Sequence, residues 1–196
     1  MDRPPEVVLI RHGETTWSRS GQHTGRTDLP LTERGRRQAE ALGAAMAAIP
    51  VARILTSPLQ RAVETCRLAG LTGTEVDDLV EWDYGDYEGR TTAEIREEVP
   101  GWTVWDGPVP GGERLDEVAA RADRVIAGIE AAGEDVAVVS HGHFLRVLAA
   151  RWLELPPIEG RRLLLDTATL CLLGTERGVR AVRRWNAPPP GTGAEE

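Results

Sequence analysis

Lysine is missing from the 196-residue chain, so every permanently cationic side chain is an arginine. With Ala, Gly, Arg and Pro all plentiful, this reads as a compositional bias of the source rather than a functional signal. Cysteine is scarce. Cys66 and Cys171 lie far apart and no Cys-x-x-Cys pair exists, which excludes a thiolate metal site or a dithiol redox motif. Both fall among apolar neighbours and are expected to be buried and reduced. No long apolar run occurs. The first, after the polar Met1–Glu6, is far too short for a signal peptide or a membrane span, so the expected location is the cytoplasm. Positive charge is not in excess either. A formal net charge of -8 argues against a nucleic-acid or anionic-membrane binder, while leaving room for a local basic pocket. What remains is an ordinary globular composition, 41% hydrophobic and 28% charged, enough to bury a core. The length favours one domain, placed at residues 1–186, with the Pro/Gly-rich 187–196 expected to be a disordered tail.

The chain is organised around Val7-Val8-Leu9-Ile10-Arg11-His12-Gly13-Glu14. Four apolar residues, three of them β-branched, predict a short buried strand. It ends in Arg-His-Gly, which puts reactive side chains on a turn at a sheet edge, where open α/β folds bind ligands. Glu14 to Gly25 reads as a loop or short helix. Thr32 is a natural N-cap for a helix through Leu42, Met46 and Ile49 that Pro50 ends. Arg53–Thr56 predicts a second strand. Ser57-Pro58 then predicts a helix with Ser as cap and Pro in its first turn, its apolar face made by Leu59, Ala62 or Val63, Cys66 and Ala69.

Thr74–Leu79 reads as a third strand. From Val80 to Gly112 the chain is irregular and aromatic, with a short helix near Thr92–Glu98; a loop-rich stretch this long inside a compact domain is usually functional. Leu115, Val118, Ala119, Ala122, Val125, Ile126 and Ile129 mark an amphipathic helix. Asp135–Val139 predicts a buried strand running into Ser140-His141-Gly142-His143, followed by a helix through Leu145, Leu148, Ala149 and Trp152. Ala168–Leu173 and Val179–Trp185 read as a hairpin. The alternation predicts a three-layer α/β/α sandwich with a mixed, mostly parallel central sheet.

Strand-Arg-His-Gly and strand-Ser-His-Gly each occur once. Two histidines at the ends of buried strands, each followed by Gly, could meet at one sheet edge. One histidine at a strand end is more often a structural hydrogen bonder; the pair points to function. His141-x-His143 with Asp83 or Asp86 is a weak metal pattern, and nothing else has ligand spacing, so no metal and no cofactor are expected.

Five ordered motifs carry a resemblance. They are Arg11-His12-Gly13-Glu14 with His23-Thr24-Gly25-Arg26-Thr27-Asp28 and Leu31-Thr32-Glu33-Arg34-Gly35; Thr56-Ser57-Pro58-Leu59-Gln60-Arg61-Ala62; Glu81-Trp82-Asp83-Tyr84-Gly85-Asp86-Tyr87-Glu88-Gly89; Gly112-Glu113 before a helix; and Val139-Ser140-His141-Gly142. Together, over Val7–Trp185, they resemble the histidine phosphatase superfamily in its phosphoglycerate-mutase-like branch, and most closely actinobacterial broad-specificity acid phosphatases. The resemblance implies that His12 is a nucleophile forming a phosphohistidine, that Arg11, Arg61 and His141 surround the phosphoryl group, and that Glu81 is the general acid. Asp83 competes with Glu81 for that role, since two residues apart in a strand share a face.

The same resemblance places Ser18, Thr24, Gly25, Gly142 and His143 at substrate. Ser18 stands where mutases usually carry Asn, and His143 where relatives often carry Gly or Asn. Arg26, Arg34, Arg36, Arg37 and Arg121 are expected to be solvated or structural. Trp17, Trp82, Trp102 and Trp105 are candidates to wall the site. Arg90–Pro110 is short and acidic, unlike the longer basic insertion of glycolytic mutases, so phosphomonoester hydrolysis is expected over phosphoglycerate mutation, and the presence of Arg11, His12, Arg61, Glu81 and His141 together argues against phospho-ligand binding without turnover. An acidic optimum is expected, since the implied roles need Glu81 protonated for the first step while His12 is neutral. The expected partner is a small phosphomonoester, with no nucleic acid and no membrane. The C-terminal hairpin offers an edge for a homodimer.

Overall fold

The computed structural model describes residues 4–189. One six-stranded sheet runs through it in the order β3-β2-β4-β1-β5-β6. β1 (Val7–Arg11) lies parallel to β4 (Val136–Ser140), β4 parallel to β2 (Arg53–Thr56), and β2 parallel to β3 (Thr74–Glu75). β5 (Leu170–Glu176) runs antiparallel to β1, and β6 (Val179–Ala187) antiparallel to β5. The terminal hairpin therefore makes the sheet mixed, as the sequence predicts.

Strand side chains alternate between faces, and both faces are covered. Val7 and Leu9 enter a core with α5 (Leu115–Ala132) and α6 (Gly142–Trp152). Val8 and Ile10 enter a second core with α2 (Glu33–Met46) and α3 (Gln60–Leu68). This double burial is why β1 and β4 read as unbroken apolar runs rather than alternating ones. The two remaining helices are short: α1 (Thr16–Ser20) and α4 (Thr92–Glu98).

Register positions the site. Arg11 pairs with Ser140 and Thr56 with Val139. The residues following three adjacent strands, His12, His141 and Ser57, are thereby brought to one edge. Just beyond β1 the backbone passes very close to α2. A Cβ on Gly13 would meet the Gly35 carbonyl oxygen at 2.4 Å, and one on Gly35 would meet that of Glu14 at 2.1 Å, so only glycine fits at either position.

Several local expectations need correction. Ser57 and Pro58 do not start α3. The chain stays extended to Leu59, and the Asp28 carboxylate accepts the Gln60 amide at 2.9 Å, capping the helix from a distant loop. The strand at Thr74 ends after two residues and turns into a 3-10 segment, Asp77–Leu79, that buries Leu79. Ala187 closes β6 instead of opening a tail; residues 190–196 lie outside the described part. Thr32 does cap α2, its hydroxyl accepting the Gly35 amide. Both cysteines are buried and free. The irregular Val80–Gly112 stretch is packed by its own aromatics, with Trp82 edge-on to Trp105 and Tyr87 edge-on to Trp102.

Candidate active site

The His12 and His141 rings lie 5.1 Å apart, both nearly inaccessible to solvent. The His12 amide donates to the Ser140 carbonyl across the strand ends. Its ring Nδ1 is 2.7 Å from the Gly13 carbonyl oxygen. A carbonyl only accepts, so Nδ1 carries the proton and Nε2 keeps a lone pair for the cavity. His141 is the other tautomer. Arg61 Nε donates to its Nδ1 at 3.1 Å, so its Nε2–H donates to Ser57 Oγ at 2.8 Å. Burial, then the Arg61 and Arg11 guanidiniums, push the His12 imidazole well below its ordinary range, against the pull of the Gly13 carbonyl. Burial and Arg61 do the same to His141. Both rings are neutral.

Arg11 and Arg61 are built differently. Arg61 is fully buried and grips the backbone, donating to the carbonyls of Thr27, Thr24 and Gly25. Arg11 donates Nη1 to the Leu165 carbonyl, and its buried Nε has no partner. A buried, unsatisfied cation donor beside a neutral nucleophile suits an anion. Gly142 lets it sit there, since a Cβ at 142 would lie 3.3 Å from the guanidinium carbon.

Glu81 and Asp83 do not share a face, because this stretch is not a strand. The Glu81 carboxylate accepts the amides of Trp82, Phe144 and His143 at 2.8–3.0 Å, so it caps the N-terminus of α6 while lining the cavity. Asp83 accepts the Gly85 amide and pairs with Arg26 outside the cavity wall. Behind Glu81, Arg121 donates to the carbonyls of Asp78 and Val80 and holds Glu113.

The cavity above the cup measures about 420 Å³. Ser18, Thr24, Gly142 and His143 line it. The Ser18 and Thr15 side chains each accept the other's amide, and the Thr24 hydroxyl donates to the Gln22 carbonyl. Gly25 is a correction. Its amide donates to Glu88 at 2.7 Å, beside the Arg26 and Thr27 amides, so it clamps the loop and offers no donor to substrate. Of the four tryptophans, Trp105 alone lines the cavity; Trp82 and Trp102 are core, and Trp17 packs against Gly89. Arg34 and Arg36 pair with Glu14 and Glu64, and Arg37 is exposed. Among the described residues, no group of three or more His, Cys, Asp or Glu is placed to hold a metal ion. No described helix is long and apolar enough to cross a membrane.

Residues not singled out by sequence complete the site. Ser57 receives the His141 proton, and the Tyr84 hydroxyl lies 2.7 Å from His143 Nδ1. Burial raises the Tyr84 phenol well above its ordinary value, so it is protonated and donates this bond. Arg146 and Arg96 also line the cavity. Arg146 lies three residues beyond His143, the spacing that shares a helix face.

His23, packed on Tyr84 and Trp102, is lowered to about 4, chiefly by burial. Its unfolded form takes up a proton near 6.5 and its folded form only near 4, so stability falls as pH drops through that window. At about 1.4 kcal/mol per pH unit, the loss from His23 approaches about 3 kcal/mol. Urea denaturation across this window is expected to show a shallower decline for His23→Gln than for wild type. Equal slopes would assign the acid sensitivity elsewhere.

The histidine phosphatase superfamily (branch 1) model matches residues 7–188. An acid phosphatase of Mycobacterium tuberculosis is 45% identical over 185 residues, covering 91% of this chain and 90% of the relative. A probable phosphoglycerate mutase of Salmonella choleraesuis is 33% identical over 192 residues, covering 92% and 89%. The solved structure of an open reading frame of Mycobacterium tuberculosis superposes with a TM-score of 0.91 at 42% identity, covering 95% of this chain and all of that one. The paired imidazoles and arginines thus lie in a chain that belongs to the histidine phosphatase superfamily.

Proposed function

We propose that the protein is a metal-independent phosphomonoesterase that hydrolyses small phosphorylated metabolites through a phosphohistidine on His12. The observation that carries this reading is the neutral His12 ring, tied through Nδ1 to Gly13, lining the cavity with Arg11 and backed by the buried Arg61 and His141. His12 Nε2 attacks phosphorus as the P–O ester bond breaks, and Glu81 gives its proton to the leaving alkoxide. Water then attacks the phosphohistidine, Glu81 takes the water proton, and His12 is released. The transferring group asks mainly for positioning and charge neutralisation. Arg11, which lines the cavity and keeps a buried Nε without a partner, supplies both. The Nε2–H of His141, held by Ser57, is the proton a phosphoryl oxygen would compete for. Ser18, Thr24, Gly142 and His143 shape the leaving-group side.

Burial and two guanidiniums hold the His12 imidazole well below its ordinary range, so the nucleophile stays unprotonated below neutrality, which favours operation there. Mutation of phosphoglycerate is not favoured: the acid phosphatase is the nearer of the two relatives, at 45% against 33% identity. Phospho-ligand binding without turnover is disfavoured by the complete set of groups at one cup. A cytoplasmic single domain over 1–186, and a homodimer through the free edge of β6, belong to the same reading.

The test is p-nitrophenyl phosphate hydrolysis at acidic pH with EDTA present, followed by an alkaline quench. Expected are undiminished turnover and an alkali-stable, acid-labile phosphoryl group on the His12 peptide. Dependence on added metal, or label on another residue, would overturn the mechanism.

A further inference from the structure

Most arginines of the described chain are either exposed or paired with a carboxylate. Three are neither: Arg11, Arg61 and Arg146. The first two form the phosphoryl cup. Arg146 sits on α6, one turn beyond His143, and lines the same cavity. Its guanidinium carbon stacks 4.7 Å over the Trp105 ring, which also packs against His143 at 5.4 Å and Trp82 at 5.7 Å. Nε and Nη2 donate to the carbonyls of Gly160 and Arg161, which fixes the plane of the fork. Burial lowers its pKa. A partly desolvated cation held rigidly by stacking and two carbonyls, with Glu81 acting on it across the cavity but no ion-pair partner among the described residues, is stabilised further when a second anion visits it.

A second arginine stands nearby. Arg96, exposed on α4, lines the cavity, donates Nε to the Trp102 carbonyl and makes no ion pair among the described residues. Of the side chains lining this cavity, Arg11, Arg96 and Arg146 are cationic and Glu81 alone is anionic. One phosphoryl group engages the Arg11 end and leaves the other two unanswered. This excess stands in a chain of net charge -8, so it is local.

We propose that Arg146, assisted by Arg96, forms a second anion subsite, and that the preferred substrates are phosphomonoesters whose alcohol portion carries another anionic group, a carboxylate or a second phosphate. The stacked guanidinium offers the fork geometry that both groups accept, and about 420 Å³ holds a small metabolite of this kind. This rests on the phosphatase reading above.

The experiment compares kcat/KM for matched pairs. 2-Phosphoglycolate against ethyl phosphate reads the carboxylate. Fructose 1,6-bisphosphate against fructose 6-phosphate reads the second phosphate. In wild type at least one pair is expected to favour the doubly anionic ester by about 10-fold or more, on the scale of a charge-assisted hydrogen bond. Which pair responds distinguishes the two anions. In Arg146→Met that ratio is expected to collapse, chiefly through KM, with Arg146→Lys intermediate because a point charge replaces the fork. Because the readout is a ratio, general loss of active protein cancels. Absence of preference in wild type, or equal losses on both members of a pair, would overturn the subsite. If wild type hydrolysed none of the four, the phosphatase reading itself would fail. Calorimetric binding of the same esters would still read the selectivity of Arg146.

Discussion

His12→Ala is expected to abolish measurable hydrolysis, a loss of about 10⁴-fold or more in kcat, on the scale seen when a covalent nucleophile is removed. The reason lies in the hydrogen bonds of the pair. His12 presents one free lone pair, at Nε2, because Nδ1–H is committed to Gly13. His141 presents none. Its Nδ1 accepts from Arg61 and its Nε2–H is donated to Ser57. The second imidazole therefore cannot take over when the first is deleted, although the rings are only 5.1 Å apart. Arg11 and Arg61 remain in the variant, so inhibition of wild type and binding by inorganic phosphate should be matched within a few fold. Steady-state kinetics, phosphoenzyme trapping and phosphate binding together check this. Turnover within about 10-fold of wild type would move the nucleophile away from His12 and remove the basis of the mechanism.

How much of this was legible in the residues depends on the range of the forces involved. β1 and β4 announce themselves because both faces of the sheet are buried, so Val7–Ile10 and Val136–Val139 are apolar throughout. The convergence of His12 and His141 follows from their places after two such strands. That the strands are neighbours, with Arg11 opposite Ser140, is a long-range pairing the local pattern does not contain. The start of α3 shows the same limit. Ser57-Pro58 has the local form of a helix start, yet the Ser57 hydroxyl is taken by His141 and Asp28 supplies the cap. Gly25 carries a motif that suggests a phosphate donor, and a carboxylate 63 residues away takes its amide. Glu81 and Asp83 separate only once the chain there is found to be irregular. Arg146 shares a helix face with His143, a spacing readable in principle, but its significance appears only with the cavity, whose lining sets three arginines against the single carboxylate of Glu81.

Arg61→Lys, although it keeps the charge, is expected to lose about 10³-fold in kcat/KM and about 3 kcal/mol in urea denaturation, as when a transition-state donor and several charged hydrogen bonds go together. Arg61 Nε orients His141, Nη1 holds the Thr27 carbonyl, and Nη2 holds those of Gly25 and Thr24. The same loop is gripped from its other side, where Glu88 accepts the amides of Gly25, Arg26 and Thr27. The loop thus has its N–H groups on a carboxylate and its C=O groups on a guanidinium. A lysine ammonium is one point with three protons. It cannot reach the His141 ring and three carbonyls spread across a planar fork. Buried carbonyls would lose their donors, and His141 would lose the contact that sets its tautomer. The ¹⁵N shifts of His141 give a readout that general destabilisation does not mimic: Nδ1 unprotonated and Nε2 protonated in wild type, with a mixed population in the variant. A lysine variant with near-native turnover and an unaltered His141 tautomer would mean that charge alone, and not the fork, organises the cup.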